Sequence, residues 1–186
     1  MINDSIGQTV LKEEEINCRV ADLADEMAGE LTEGAVLVGV LRGAAVFAVD
    51  LLRRLPRKVR LDFLEVSRAG PTAALSGIMR LRKDISVDVT DRQVILIEDT
   101  VDSGATLLKL KQHLLDKGAA EVKVCVLIDK AENCNQKCEP DYVGFRLSGL
   151  EGRWNYVVGY GMDFNEDYRN LPYIGVLKEG LWAPLK

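Results

Sequence analysis

Two stretches of the chain, Ala35 to Leu41 and Val94 to Ile97, are uninterrupted apolar runs, and a third, Val122 to Ile128, is broken only by Lys123. Each is too short for most helices. A run without polar alternation reads as a strand buried on both faces, the habit of parallel sheets. Helical spacing fills the intervals, over Ala45 to Leu55 and over Thr106 to Lys117, the latter closed by Gly118, while Val59 to Val66 reads as a further strand. This alternation predicts an α/β fold with a central, mostly parallel sheet flanked by helices.

Other segments complete the layout. Apolar residues Val10, Ile16, Val20, Leu23, Ala24, Met27 and Leu31 recur at spacings of three and four, so residues 9–31 predict a leading amphipathic helix. Residues 67–78 are small and turn-prone, and read as a long loop suited to a lid. After Pro140 come short aromatic-rich strands, Tyr142 to Leu147 and Tyr156 to Tyr160, then polar residues Asp163 to Asn170 and a last strand near Ile174 to Leu177. The expectation is one domain over 1–186. Its core would span about 30–140, with a small hood over about 141–186 plus part of the N-terminus.

Charge narrows the classes of function. With 24 Lys and Arg against 29 Asp and Glu, the net charge of −5 argues against general nucleic-acid binding, and any anion must be held by local features. No stretch approaches the ~20 apolar residues of a membrane span, and the first residues lack a secretory pattern, so a cytoplasmic address with no membrane partner is expected. Four cysteines are too few for a disulfide scaffold. Cys134 and Cys138 share a polar loop without a second ligand pair, which favours reduced, incidental thiols over a metal site.

The chemistry is concentrated in Val94-Ile95-Leu96-Ile97-Glu98-Asp99-Thr100-Val101-Asp102-Ser103-Gly104-Ala105-Thr106. Side chains alternate along a strand, so Glu98 and Asp99 diverge at its carboxyl end, where open α/β sheets bind ligands. The turn from Asp102 to Thr106 then opens a helix, and its N–H groups and hydroxyls make a phosphate seat. Taken singly, Asp102 or Ser103 is a helix cap. Taken together, two adjacent carboxylates after a wholly apolar strand carry a repulsion that capping does not require, and so call for a cationic or hydroxyl-rich ligand.

This segment resembles the signature of the type I phosphoribosyltransferases, and it matches neither a nucleoside-triphosphatase loop nor a dinucleotide-binding fingerprint. The resemblance implies that phosphoribosyl pyrophosphate (PRPP) binds here. Glu98 and Asp99 would contact the ribose hydroxyls and a magnesium ion, while Asp102, Ser103, Gly104, Ala105 and Thr106 would hold the 5′-phosphate. Three further segments resemble the hypoxanthine-guanine branch. Leu41-Arg42-Gly43 matches a loop that presents N–H groups to pyrophosphate, often with a cis peptide between the basic residue and the glycine. Val126 to Lys130 matches a strand ending in the lysine that donates to a 6-oxopurine. The segments around Tyr142 to Phe145, Tyr156-Val157 to Asp163 and Tyr168 to Gly175 match a base-binding hood. By this resemblance Tyr156 and Val157 line the purine, Asp163 binds a second magnesium near the base, and Arg169 holds pyrophosphate.

The implied reaction is displacement at C1 of PRPP by a purine nitrogen, with Asp102 taking or holding the N7 proton, in the service of purine salvage. A departure accompanies the match. Where the branch carries a Ser-Tyr pair in its long loop, this chain has Arg68-Ala69, so Arg68 becomes the candidate for the pyrophosphate side. Other readings stay open here: a xanthine-preferring transferase, a pyrimidine acceptor, or a regulator that keeps the PRPP site as a sensor. The family usually forms homodimers or homotetramers.

Overall fold

A computed structural model describes residues 2–68, 79–130, 139–148, 150, 153 and 156–181. The chain order is β1 (Ile6–Leu11), α1 (Glu13–Ala28), β2 (Val36–Leu41), α2 (Ala45–Leu52), β3 (Arg60–Arg68), β4 (Met79–Lys83), β5 (Gln93–Val101), α3 (Ala105–Asp116), β6 (Glu121–Asp129), β7 (Tyr142–Arg146), β8 (Val157–Val158) and β9 (Ile174–Leu177). Among the described residues six strands form the main sheet, in the order β4-β3-β2-β5-β6-β7. Its inner pairings are parallel, and β4 alone runs antiparallel against β3.

The apolar runs become the centre of this sheet because alternate residues feed two different cores. Leu37, Ile95, Ile97, Cys125 and Leu127 pack with α1 and α2 residues such as Val20, Leu23 and Phe47. Val36, Val38, Val94, Leu96, Val124 and Val126 face the opposite side, against Leu107, Leu110 and Leu114 of α3. With no polar face, each strand needs a helix on both sides. Truncating a fully buried side chain such as Leu96 or Ile97 to alanine costs about 2–5 kcal/mol.

Three sequence expectations are corrected. Residues 9–11 are not helical. They belong to β1, which pairs antiparallel with β9, for example Thr9 with Gly175 and Leu11 with Ile174. The helix starts at Glu13, where the Glu15 carboxylate accepts the Lys12 N–H at 2.7 Å and three successive glutamates meet the positive helix end. Second, the strand at Tyr142–Arg146 is not part of the hood. It pairs in parallel with β6 and closes the main sheet, where Arg19 of α1 donates to the carbonyls of Val143 at 2.6 Å and Gly144 at 2.8 Å. Third, helix α2 ends at Leu52 rather than Leu55.

Among the described residues the second sheet has three strands, β1-β9-β8, so the first and the last described strands are neighbours. No helix of the described residues is long and apolar enough to cross a membrane. Cys18 is exposed and Cys125 buried, both as free thiols; Cys134 and Cys138 lie outside the described residues.

Candidate active site

Strands β2 and β5 pair from Val36 opposite Val94 to Gly39 opposite Ile97, and then part. Beyond that point β2 continues along β3 to Leu41, and β5 continues along β6 to Val101. The connection from β2 runs through α2 to one side of the sheet, and that from β5 runs through α3 to the other. This is the switch point at which an open α/β sheet leaves a crevice outside its strand ends.

One wall of the crevice is the loop after β2. A cis peptide joins Leu41 to Arg42, one bond earlier than between Arg42 and Gly43 as the resemblance implied. Gly43 lies directly under Asp99, since a Cβ added there would stand 1.7 Å from Asp99 Oδ2. The other Asp99 oxygen accepts the Thr100 N–H at 2.6 Å, and Glu98 Oε1 lies 3.3 Å from the Asp99 N–H. Asp99 shares the parity of Ile95 and Ile97 along β5, which carries it to the α1 and α2 side.

The floor is the turn into α3. Asp102, Ser103 and Thr106 are exposed and Gly104 is buried. Helix α3 takes Gly104 as its N-cap residue, in a left-handed conformation at φ +73°, with no side-chain cap hydrogen bond. The first helical bond runs from the Leu108 N–H to the Gly104 carbonyl at 3.0 Å. Ser103 Oγ accepts the Ala105 N–H at a long 3.5 Å, so side-chain capping here is weak, and an anion at the helix start meets the remaining main-chain donors. Lys130 follows the end of β6, and its N–H donates to the Val101 carbonyl at 3.1 Å, beside the residue preceding Asp102.

The hood reaches the same loop from the opposite side. Gly161, at φ +99°, passes so close to the Gly43 carbonyl that a Cβ would stand 2.1 Å from it. Tyr160 donates its hydroxyl to Asp50 of α2 at 2.9 Å, and burial pushes its phenol well above the usual range. Arg169 donates to the Gly161 carbonyl at 2.8 Å and pairs with Asp163 at 2.7 Å, while the second Asp163 oxygen accepts the Glu166 N–H at 2.8 Å. Tyr156 is half-buried with its ring 5.8 Å from that of Phe164, tilted by 56°, and Val157 is buried beside it.

Arg42, Gly43, Asp99, Asp163 and Arg169 thus converge on one loop crossing, and Asp102 to Thr106 adjoin Lys130 across neighbouring strand ends. Glu98, Asp99 and Asp163 do not form a joint cluster: among the described residues no group of three His, Cys, Asp or Glu side chains comes together to hold a metal ion. Arg68 ends β3 opposite Met79, where β4 begins, and its side chain, with Ala69, lies outside the described residues. Two neighbours went unseen in the sequence. Phe164 supports Tyr156. Glu166 pairs with both Arg42, at 2.8 Å, and Arg169, at 3.2 Å. Its spacing of three from both Asp163 and Arg169 was the available signal.

Comparison with known proteins agrees with this geometry. A family model described as a phosphoribosyl transferase domain matches residues 8–165. A hypoxanthine-guanine phosphoribosyltransferase of Bacillus subtilis is 36% identical over 183 residues, covering 98% of this chain and 99% of that protein. The bifunctional protein TilS/HprT of Listeria innocua is 37% identical over 183 residues, and there the chain spans only 28% of its relative's length. Among solved structures, a hypoxanthine-guanine phosphoribosyltransferase of Bacillus anthracis is 37% identical with a TM-score of 0.85, over 93% of this chain and 99% of that one.

Proposed function

Because the chain belongs to the phosphoribosyl transferase family, we propose that it is a purine-salvage enzyme that moves the phosphoribosyl group of PRPP to hypoxanthine or guanine, giving IMP or GMP and pyrophosphate. One contact carries this reading: the Lys130 N–H on the Val101 carbonyl at 3.1 Å. It brings the main chain of Lys130 to that of the residue before Asp102, which supports reading Lys130 as the donor to the purine, Asp102 as the holder of the N7 proton and the adjoining turn as the seat of the 5′-phosphate.

Position supports a role for each residue. The N–H groups and hydroxyls from Asp102 to Thr106 hold the 5′-phosphate. Lys130 donates to the 6-oxo oxygen, and Tyr156 with Val157 offers an apolar surface to the purine. Asp102 holds the N7 proton as the purine attacks C1, a general-base contribution of typically ~10²- to 10⁴-fold. Arg42, the Gly43 amide and Arg169 bind pyrophosphate as it departs, and Arg68 is a further cation for that side. Glu98 and Asp99 present hard carboxylate oxygens near the ribose, and Asp163 presents another near the base. That donor set fits magnesium, which binds through one or two carboxylates together with substrate oxygens. When bound, magnesium supplies charge neutralisation for the departing pyrophosphate. The protein's net charge of −5 is then no obstacle to an anionic substrate.

The setting in which we place this activity is a cytoplasmic homodimer or homotetramer, with a core sheet for PRPP and a hood for the base, and without a nucleic-acid partner. The test is nucleotide formation from PRPP and magnesium with hypoxanthine, guanine, xanthine, adenine and uracil offered separately. IMP or GMP formation well above the others is expected. PRPP binding with no nucleotide from any base would overturn the reading in favour of a sensor.

A further inference from the structure

The residue that most directly engages both arginines of the crevice is a carboxylate with no part in the chemistry described so far. Glu166 Oε2 lies 2.8 Å from Arg42 and 3.2 Å from Arg169. The two guanidinium groups come from opposite ends of the fold, one from the loop after β2 and one from the hood, and this single oxygen joins them. Its carrier is a built turn. Phe164 and Asp167 exchange main-chain hydrogen bonds at 3.3 and 3.1 Å, and the Glu166 N–H is fixed on Asp163 at 2.8 Å. Asn165 and Glu166 both adopt left-handed conformations, at φ +53° and +71°. A non-glycine backbone of that kind persists only where its surroundings over-determine it.

The electrostatic consequence is direct. The two guanidinium charges are already paired with the carboxylates of Asp163 and Glu166, so an incoming pyrophosphate has to compete for them. Asp163 is held at depth, with 30% of its side chain exposed, whereas Glu166 is 61% exposed on a flexible stem. Glu166 is therefore the one that can yield.

We propose that Glu166 is an internal counter-anion: it aligns Arg42 and Arg169 on a single point and is displaced by pyrophosphate, which lowers affinity for that group and speeds its release. This rests on the reading of Arg42 and Arg169 as the pyrophosphate cations. Glu166 is in this sense a positioning residue, since it acts on the leaving group through the two arginines.

The test is calorimetric binding of inorganic pyrophosphate with magnesium to the full chain, alongside product inhibition by pyrophosphate. Glu166→Gln keeps the shape and removes the charge. It is expected to bind pyrophosphate about two- to tenfold more tightly, the range that losing exposed ion pairs implies. The KM for PRPP should fall in step, the KM for the purine should stay unchanged, and Glu166→Asp, which keeps the charge, should stay near the parent. Unchanged or weaker pyrophosphate binding by both Glu166→Gln and Glu166→Ala would overturn the proposal while leaving the pyrophosphate site intact. Pyrophosphate affinity insensitive to Arg169→Ala would instead remove the reading on which it rests, and the proposal with it.

Discussion

Gly43 and Asp99 stand so close that a methyl group on the glycine would meet the aspartate's Oδ2 at 1.7 Å. The loop after β2 and the end of β5 are thus fitted to one another across the gap where these strands stop pairing. The hood closes on the same residue, because Gly161 approaches the Gly43 carbonyl. Glycines at positions 43 and 161 together let three chain segments meet without a side chain between them.

Gly43→Ala should therefore damage the site more than the fold. Asp99 cannot simply turn aside while its Oδ1 holds the Thr100 N–H at 2.6 Å, so either the loop or the carboxylate must move. Misplacement of a reacting group by about 1 Å costs roughly a hundredfold in rate. We expect kcat/KM for PRPP to fall by about that factor, with the melting temperature little changed. Near-parent kinetics would show that the loop relaxes freely.

Asp102→Asn isolates proton handling from phosphate binding. Asp102 is exposed and α3 takes Gly104 as its cap residue, so the amide should leave the helix intact. PRPP binding should be retained while turnover falls by at least about tenfold. Single-turnover rates beside PRPP titrations check this, and unchanged turnover would remove the base role.

How much of this was readable beforehand depended on the range of the interaction. The runs through Val36, Val94 and Val122 announce buried parallel strands because burial on both faces is a local property of composition. The turn from Glu98 to Thr106 is legible for the same reason, being one contiguous segment. By contrast, Ile6–Leu11 pairs with Ile174–Leu177 from the far end of the chain, and nothing local distinguishes its Val10 from the first apolar position of a helix. The aromatic composition of Tyr142–Arg146 resembles that of the hood, whereas its place is set by β6 and by Arg19. The bridge from Glu166 to Arg42 spans loops far apart in sequence, so only half of it, the spacing to Arg169, was visible.

Acid should destabilise the fold through the segment that follows β4. Asp62 is buried, which raises its carboxyl, but N–H groups of Val87, Phe63 and Ser86 and the Lys83 ammonium outweigh this and hold it far below the usual carboxylate range. Burial likewise opposes the shift at Asp84, where Lys117, His113 and the Ile85 N–H bring the carboxyl down from 3.8 to about 2. Both folded values lie below the unfolded ones, so these groups stabilise the fold above about pH 4, and that stability is lost as pH falls towards 2 and below. Asp84 is a third exposed, which limits its share to on the order of 1 kcal/mol. Asp62→Asn should cost about 2–3 kcal/mol at neutral pH, because it removes a charged acceptor from several donors. Urea midpoints between pH 7 and pH 2 check both, and the Asp84→Asn variant should show a shallower loss than the parent below pH 4.

Lys130→Met separates recognition of the base from its chemistry. Lys130 is held at the end of β6 by its main chain, through the bond to the Val101 carbonyl at 3.1 Å, so an apolar side chain of similar length should leave the strand ends and Asp102 in place. In the proposed role the side chain is a charged donor to the 6-oxo oxygen, and a hydrogen bond to a charged group is worth about 1.5–3 kcal/mol. The KM for hypoxanthine and guanine should accordingly rise by roughly ten- to a hundredfold, while PRPP affinity stays near that of the parent. Asp102→Asn should show the reverse division, with turnover lost and base affinity largely kept. Identical kinetic signatures for the two variants would mean that the neighbouring ends of β5 and β6 act as one unit, and the division of labour between Lys130 and Asp102 would have to be given up.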